Sequence, residues 1–328
     1  MSIKAQTVHE RVRSSARVST ERQLNTLAFH AMGTLCRVSF AATTPGLIKD
    51  FISEVLNWVA DFEARYSRFI PDSLIGSINQ SAGKQWVEFD EEADRLFSLC
   101  QELWFYTRGA FDPTALPLIK LWNWKADPPV IPDDATVKRT LELVGWRKVQ
   151  RRKGAIFLPQ EGMSIDLGGI GKEYAVDMVL ALALQRGIGN VLVDFGQDVR
   201  VHGMPPGKPA WHIGLEDPKK PGSCWAGVAV KDHAVASSGD YLRYFQKDGR
   251  RYGHILDPRN GYPVNNDCRA VTVIAPTCTV AGILSTTAFV LGPKEGLALI
   301  ASHFGAEGAI TTETSRVHTS RFHEYVAS

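Results

Sequence analysis

The sequence predicts an α+β fold: one unit of two intimately packed subdomains, with mixed sheets flanked by helices. Three observations predict it. Long segments with apolar residues at helical spacing are interleaved with short segments that alternate every second residue. The 328 residues, 44% hydrophobic and 22% charged, suffice for the large core of an ordinary globular chain. No Gly/Ser-rich linker separates two independent cores, although 28 glycines and 17 prolines punctuate the chain.

In chain order, residues 1–25 are polar and basic, which predicts a flexible or loosely packed arm ahead of a domain over 26–328. Residues 35–42 alternate as a strand. Residues 46–67 and 91–109 carry apolar residues at helical spacing, the second segment ending at Gly109. A Pro- and Asp-rich loop over 125–134 precedes a short helix over 135–145. Residues 155–159 and 164–166 read as paired strands, 172–187 as a helix and 190–196 as a strand. That order is like a βαβ unit but leaves the strand direction open. Short strands follow over 211–217, 225–232, 234–239 and 269–276. Helices over 280–292 and 294–305 and a last strand over 306–312 complete the pattern.

Composition removes several function classes. A formal net charge of +2, with no basic stripe, gives no case for nucleic acid or a membrane surface. No run approaches the ~18 apolar residues of a membrane span. The first 23 residues hold no apolar core and no Cys after a small residue, so the expected location is the cytoplasm. The five cysteines form no CxxC pair, which predicts free, mostly buried thiols. Nine dispersed histidines without an HExxH pattern argue against zinc. Ala236 ahead of Ser237-Ser238-Gly239 removes the nucleophile elbow of a serine hydrolase.

Two segments carry chemistry. Residues 237–258 read as a strand end, a hairpin around Lys247-Asp248-Gly249-Arg250, and a second strand stopped by Pro258. This would set Tyr241, Arg243, His254 and Asp257 near one sheet edge, a mixture suited to a phosphorylated aromatic ligand. Asp166-Leu-Gly-Gly-Ile-Gly-Lys172 lies between an expected strand and a helix, where glycines let backbone N–H groups approach a phosphate. A tight strand–helix turn explains the same residues equally well. The segment is no Walker A motif, because Asp166 stands at its first Gly and Glu173 follows Lys172.

Together with AMGT at 31–34, PDS at 71–73, GAFDPT at 109–114, and VTVIAP with the helix that follows it, these motifs resemble the ApbE family of FAD:protein FMN transferases. The resemblance runs from about Met32 to Gly292. It implies transfer of FMN from FAD to a Ser/Thr hydroxyl of an acceptor flavoprotein, with release of AMP. It also implies Mg²⁺ as the agent that neutralises diphosphate charge. By the same resemblance Met32, Phe69 (where a Tyr is usual), Ala110, Phe111, Asp112, Asp166, Lys172 and Leu256 contact FAD. His254 stands beside the diphosphate as a charge-stabilising catalytic group, and Asp257 contributes hydrogen bonds. The Gly169 carbonyl, Ser285 and Thr286 face the metal.

The pattern breaks at two places. Gly282 stands where the family has a metal-binding Asp, and Ser285 replaces an Asp seen in some members. Neutral oxygens alone are poor Mg²⁺ ligands. At Asp194-Phe-Gly-Gln197 a Gly-Gly pair is usual. The alternatives are an FAD-binding relative that has lost catalysis and serves as flavin carrier, sensor or accessory protein, and an FAD pyrophosphatase that needs no acceptor.

Overall fold

The structure, a computed structural model, describes residues 5–327. Its centre is a nine-stranded sheet. The strands lie in the order Arg17–Glu21, Leu24–Ala31, Thr34–Phe40, Val191–Phe195, Asp198–His202, Ala234–Gly239, Cys268–Ala275, Glu307–Thr312 and Arg316–His318. Every neighbouring pair is antiparallel. The α+β class holds, but the sheet is antiparallel rather than mixed, and no βαβ crossover forms among the described residues.

Strand alternation sorts side chains onto the two faces. Ala234 and Ala236 join the main core, while Val235 between them joins a second one; Val273 and Ile274 divide the same way. The main core is covered by α1 (Ala5–Ser15), α2 (Pro45–Tyr66), α7 (Gly171–Gln185), α8 (Cys278–Leu291) and α9 (Pro293–Ser302). The second is closed by the hairpin Trp211–Glu216/Cys224–Val230 and by Phe322. A third cluster joins α5 (Leu116–Trp122) and α6 (Asp134–Leu141) to the 252–262 segment through Trp122, Val137, Tyr252 and Leu256. The remaining helices, α3 (Leu74–Gln80) and α4 (Glu91–Tyr106), open on the side-chain caps Ser73 and Asp90. Helix α8 is buried nearly all round, including Gly282 and Ser285, so its polar residues other than Thr286 face protein.

Two sequence expectations fail here. The described part of the 1–25 arm is helix and strand, with Val8 and Val12 fully buried and Arg11 bonded to Glu63 of α2. Two valines four residues apart form a sufficient apolar stripe in an otherwise polar segment. Residues 164–166 form no strand; the Asn79 side chain donates to the Ile165 carbonyl at 3.0 Å and accepts from its N–H at 2.6 Å. Among the described residues no helix is long and apolar enough to cross a membrane.

Candidate active site

A cavity of ≈ 480 Å³ lies where five chain segments meet. They are the 110–115 turn, the 166–173 segment leading into α7, the 196–198 turn, residues 237–243 at the end of a central strand, and residues 253–258; Thr286 of α8 also reaches it. Phe111, Trp122 and Trp124 give the cavity aromatic surface, and Arg68, Lys172 and Arg243 give it cations.

The first turn of α7 concentrates charge. Leu167–Ile170 form a tight turn in which Gly171 N–H donates to the Leu167 carbonyl at 2.7 Å, and no side chain caps the helix. The Asp166 carboxylate accepts from Gly168 N–H at 3.1 Å and stands 3.3 Å from Arg68 Nε. Burial pushes its pKa up against the pull of Arg68. Lys172 is ion-paired with buried Asp198. Burial opposes the Lys172 charge, but Glu173 and Asp198 outweigh it and hold the ammonium above its ordinary range.

Glu173 is 8% exposed, lines the cavity, and has a buried Oε2 with no hydrogen-bond partner among the described residues. Burial, then the negative charge of Asp198, pushes its pKa up. Its side chain fills the space beside Gly282: a Cβ there would lie 2.6 Å from Glu173 Cγ and 3.0 Å from Oε1.

Opposite in chemistry is a cluster of neutral hydroxyls. Ser238 Oγ lies 2.8 Å from both Ser285 Oγ and Thr286 Oγ1, and Ser237 Oγ lies 2.8 Å from Thr272 Oγ1. His254 borders the cavity with its backbone tied to the Arg243 carbonyl at 3.0 Å, while its buried Nδ1 has no partner. Burial, then the Arg243 cation, lowers its pKa to about 4. The imidazole is therefore neutral near pH 7.

Comparisons with known proteins give the family. The ApbE family model matches residues 32–310. A Treponema pallidum FAD:protein FMN transferase is 32% identical over 309 residues, covering 88% of this chain and 84% of its own. A Vibrio cholerae protein of the same name is 30% identical, covering 82% of this chain and 81% of its own. The chain belongs to the ApbE family. Among solved structures, the Thermotoga maritima ApbE protein superposes with a TM-score of 0.84 at 32% identity, covering 93% of this chain and 100% of that one. The flavin transferase ApbE from Vibrio cholerae gives 0.82 at 25% identity, covering 94% and 99%.

Most residues expected at this ApbE site meet in the cavity: Ala110, Phe111, Asp112, Asp166, Gly169, Lys172, His254, Leu256 and Thr286 line it. Four do not. Met32 and Gly33, both at positive φ, form the two-residue tip of a hairpin, where Met32 N–H donates to Glu63 at 2.8 Å. Phe69 is 71% exposed under the Arg68 guanidinium. Asp257 turns away from the cavity and holds its own loop, accepting from Arg259 N–H, Nε and a terminal nitrogen and from Asn260 Nδ2. Ser285 is 1% exposed behind Ser238 and Thr286.

Two expected roles also change. His254 is held neutral by burial and by Arg243, a state that suits hydrogen bonding better than the cationic role the motif implied. Asp112 borders the cavity, but its carboxylate is committed to the fold. It accepts from Trp104 Nε1 and Trp146 N–H at 3.0 Å, and from Thr114 N–H and Oγ1 at 2.8 and 2.5 Å. Sequence reasoning missed Arg68, Glu173, Asp198 and Ser238 as site residues. Of these, Glu173 and Ser238 had a signal, since each sits inside a segment already singled out.

Proposed function

We propose that this chain is an FAD:protein FMN transferase that moves FMN from FAD onto a Ser or Thr hydroxyl of an acceptor flavoprotein and releases AMP. The observation that carries this reading is the cavity in which most of the expected ApbE residues converge with aromatic surface beside three cations. The aromatic residues suit a flat isoalloxazine or adenine ring. Lys172 and Arg243 suit a diphosphate, the first held rigidly by Asp198 and the second without an ion pair among the described residues.

The acceptor hydroxyl oxygen bonds to the FMN-side phosphorus, the bond from that phosphorus to the bridging oxygen breaks, and AMP leaves with that oxygen. The hydroxyl proton passes to the neutral His254 imidazole at the cavity border. General-base help of this kind is worth about 10²–10⁴-fold. The cations hold and orient the diphosphate, which is most of what phosphoryl transfer asks of a protein.

Mg²⁺ fits the donors present. Among the described residues no three His, Cys, Asp or Glu side chains form a metal cage. Mg²⁺, however, commonly takes one or two carboxylates and completes its shell with water and substrate phosphates. Thr286 and Gly169, which line the cavity with the buried carboxylates of Glu173 and Asp198, would supply neutral oxygens for it. When bound it would neutralise charge on the diphosphate.

The test is incubation with FAD and a panel of Ser/Thr acceptor domains, with and without Mg²⁺, scoring AMP and protein-bound flavin. Mg²⁺-dependent AMP with flavin on the acceptor, strongly reduced in His254→Gln, is the expected result. Tight retention of FAD without AMP would instead identify a flavin carrier, and free FMN plus AMP without acceptor a pyrophosphatase.

A further inference from the structure

Gly282 and Thr286 lie four residues apart on α8 and so share one face of that helix. Thr286 opens on the cavity, but Gly282 offers no side chain. The space a side chain at 282 would enter is taken by Glu173, from the first turn of the neighbouring helix α7. This glutamate is almost fully buried, faces the cavity, and keeps Oε2 without a hydrogen bond. An unpartnered carboxylate oxygen in such a place is costly unless something outside the protein engages it. Lys172, whose charge Glu173 helps to hold, makes its direct ion pair with Asp198 instead.

We propose that Glu173 is the anionic ligand of a divalent cation in this cavity, having taken over from α7 the place that position 282 of α8 leaves empty. Thr286 and the Gly169 carbonyl complete the protein's share of the site, and the FAD diphosphate brings the rest. The glycine and the glutamate then form one feature. Gly282 is required because any Cβ there would collide with the ligand side chain, and the missing acid on α8 does not mean a missing metal site. The inference deepens the transferase reading and rests on it for the diphosphate only.

Mn²⁺, whose free form gives an electron paramagnetic resonance signal, tests this without turnover. Titrated into the intact protein, Mn²⁺ should bind one site. Glu173→Gln, which keeps the shape and removes the charge, should weaken that binding by about tenfold or more. A swapped variant, Glu173→Gly with Gly282→Asp, should regain most of the lost affinity, because it returns one carboxylate to the same space. Circular dichroism melting of each variant confirms that the fold is intact.

Equal Mn²⁺ affinity in the wild type and Glu173→Gln, or no Mn²⁺ binding by the wild type, would overturn the assignment. If AMP release and covalent flavin transfer persist in that case, only the ligand assignment falls. If Mn²⁺ binding depends on Glu173 but no transfer occurs, the metal site stands and the transferase reading falls.

Discussion

Two buried carboxylates border the same cavity and are treated in opposite ways. Asp112, in the 110–115 turn, accepts four hydrogen bonds from Trp104, Thr114 and Trp146. Glu173, in the first turn of α7, leaves Oε2 with none. The first is a structural hub that touches the cavity, and the second is the group proposed to hold a cation. The 254–260 segment repeats the contrast. Asp257 is saturated by Arg259 and Asn260 and stands outside the cavity, while His254 stands at its border with Nδ1 unengaged. Hydrogen-bond saturation therefore separates scaffold from chemistry better than proximity does.

The largest effect should come from emptying the saturated hub. Asp112→Ala leaves the Trp104 indole, two backbone N–H groups and the Thr114 hydroxyl without their acceptor, at a cost of about 1–3 kcal/mol for each donor that water cannot reach. Urea unfolding should show a loss of about 3 kcal/mol or more. Glu173→Gln should lose far less by the same measurement, because the Oε2 it replaces accepts no hydrogen bond among the described residues. Equal losses in the two variants would end the distinction.

The next effect tests how tightly Glu173 fills the space beside Gly282. Gly282→Ala puts a methyl 2.6 Å from Glu173 Cγ. Overpacking at a buried helix position should cost about 1–3 kcal/mol. In a Glu173→Gly background the same substitution should become neutral or favourable, since Ala is the better helix former by about 1 kcal/mol. A double-mutant cycle measures that coupling, and additivity within error would mean the two positions do not meet.

A smaller loss is expected at Asp257. Asparagine there keeps an acceptor for Arg259 N–H but loses the charged pairing with the partly exposed guanidinium. The cost should be about 1 kcal/mol, read from denaturant midpoints. The pH dependence of transfer should be the same in Asp257→Asn as in the wild type, because the carboxylate does not reach the cavity. A changed profile would return Asp257 to the catalytic role that its sequence motif suggested.

Local pattern carried the parts of this molecule that local physics determines. The helical spacing over 46–67 became α2, with Phe51, Val55, Val59 and Phe62 buried along one face. Lys247-Asp248-Gly249-Arg250 became a hairpin tip, with Asp248 and Gly249 both at positive φ. What failed was set by distant partners. Residues 164–166 look like a strand, but Asn79 supplies the pairing a neighbouring strand would have given. The family motifs located most of the cavity wall, yet they made Gly282 look like a lost ligand. Its meaning depends on Glu173, which lies far off in sequence and was legible only as a departure from a phosphate-loop pattern.

The last effect concerns His254 and is read as a change with pH rather than at one pH. Its pKa is lowered to about 4 in the folded protein, first by burial and then by Arg243, whereas an unfolded histidine titrates near 6.5. Between those two values the unfolded chain binds more protons than the native one, so stability contributed by the neutral imidazole is present above about pH 6.5 and is lost as the pH falls toward 4. His254→Gln removes that linkage. Melting temperatures of wild type and variant should therefore lie further apart, in favour of the wild type, at pH 7 than at pH 5. A gap that instead widened toward pH 5 would mean the histidine is charged in the native state. In that case the proton-accepting role would go, and the cationic role that its position beside a diphosphate first implied would return.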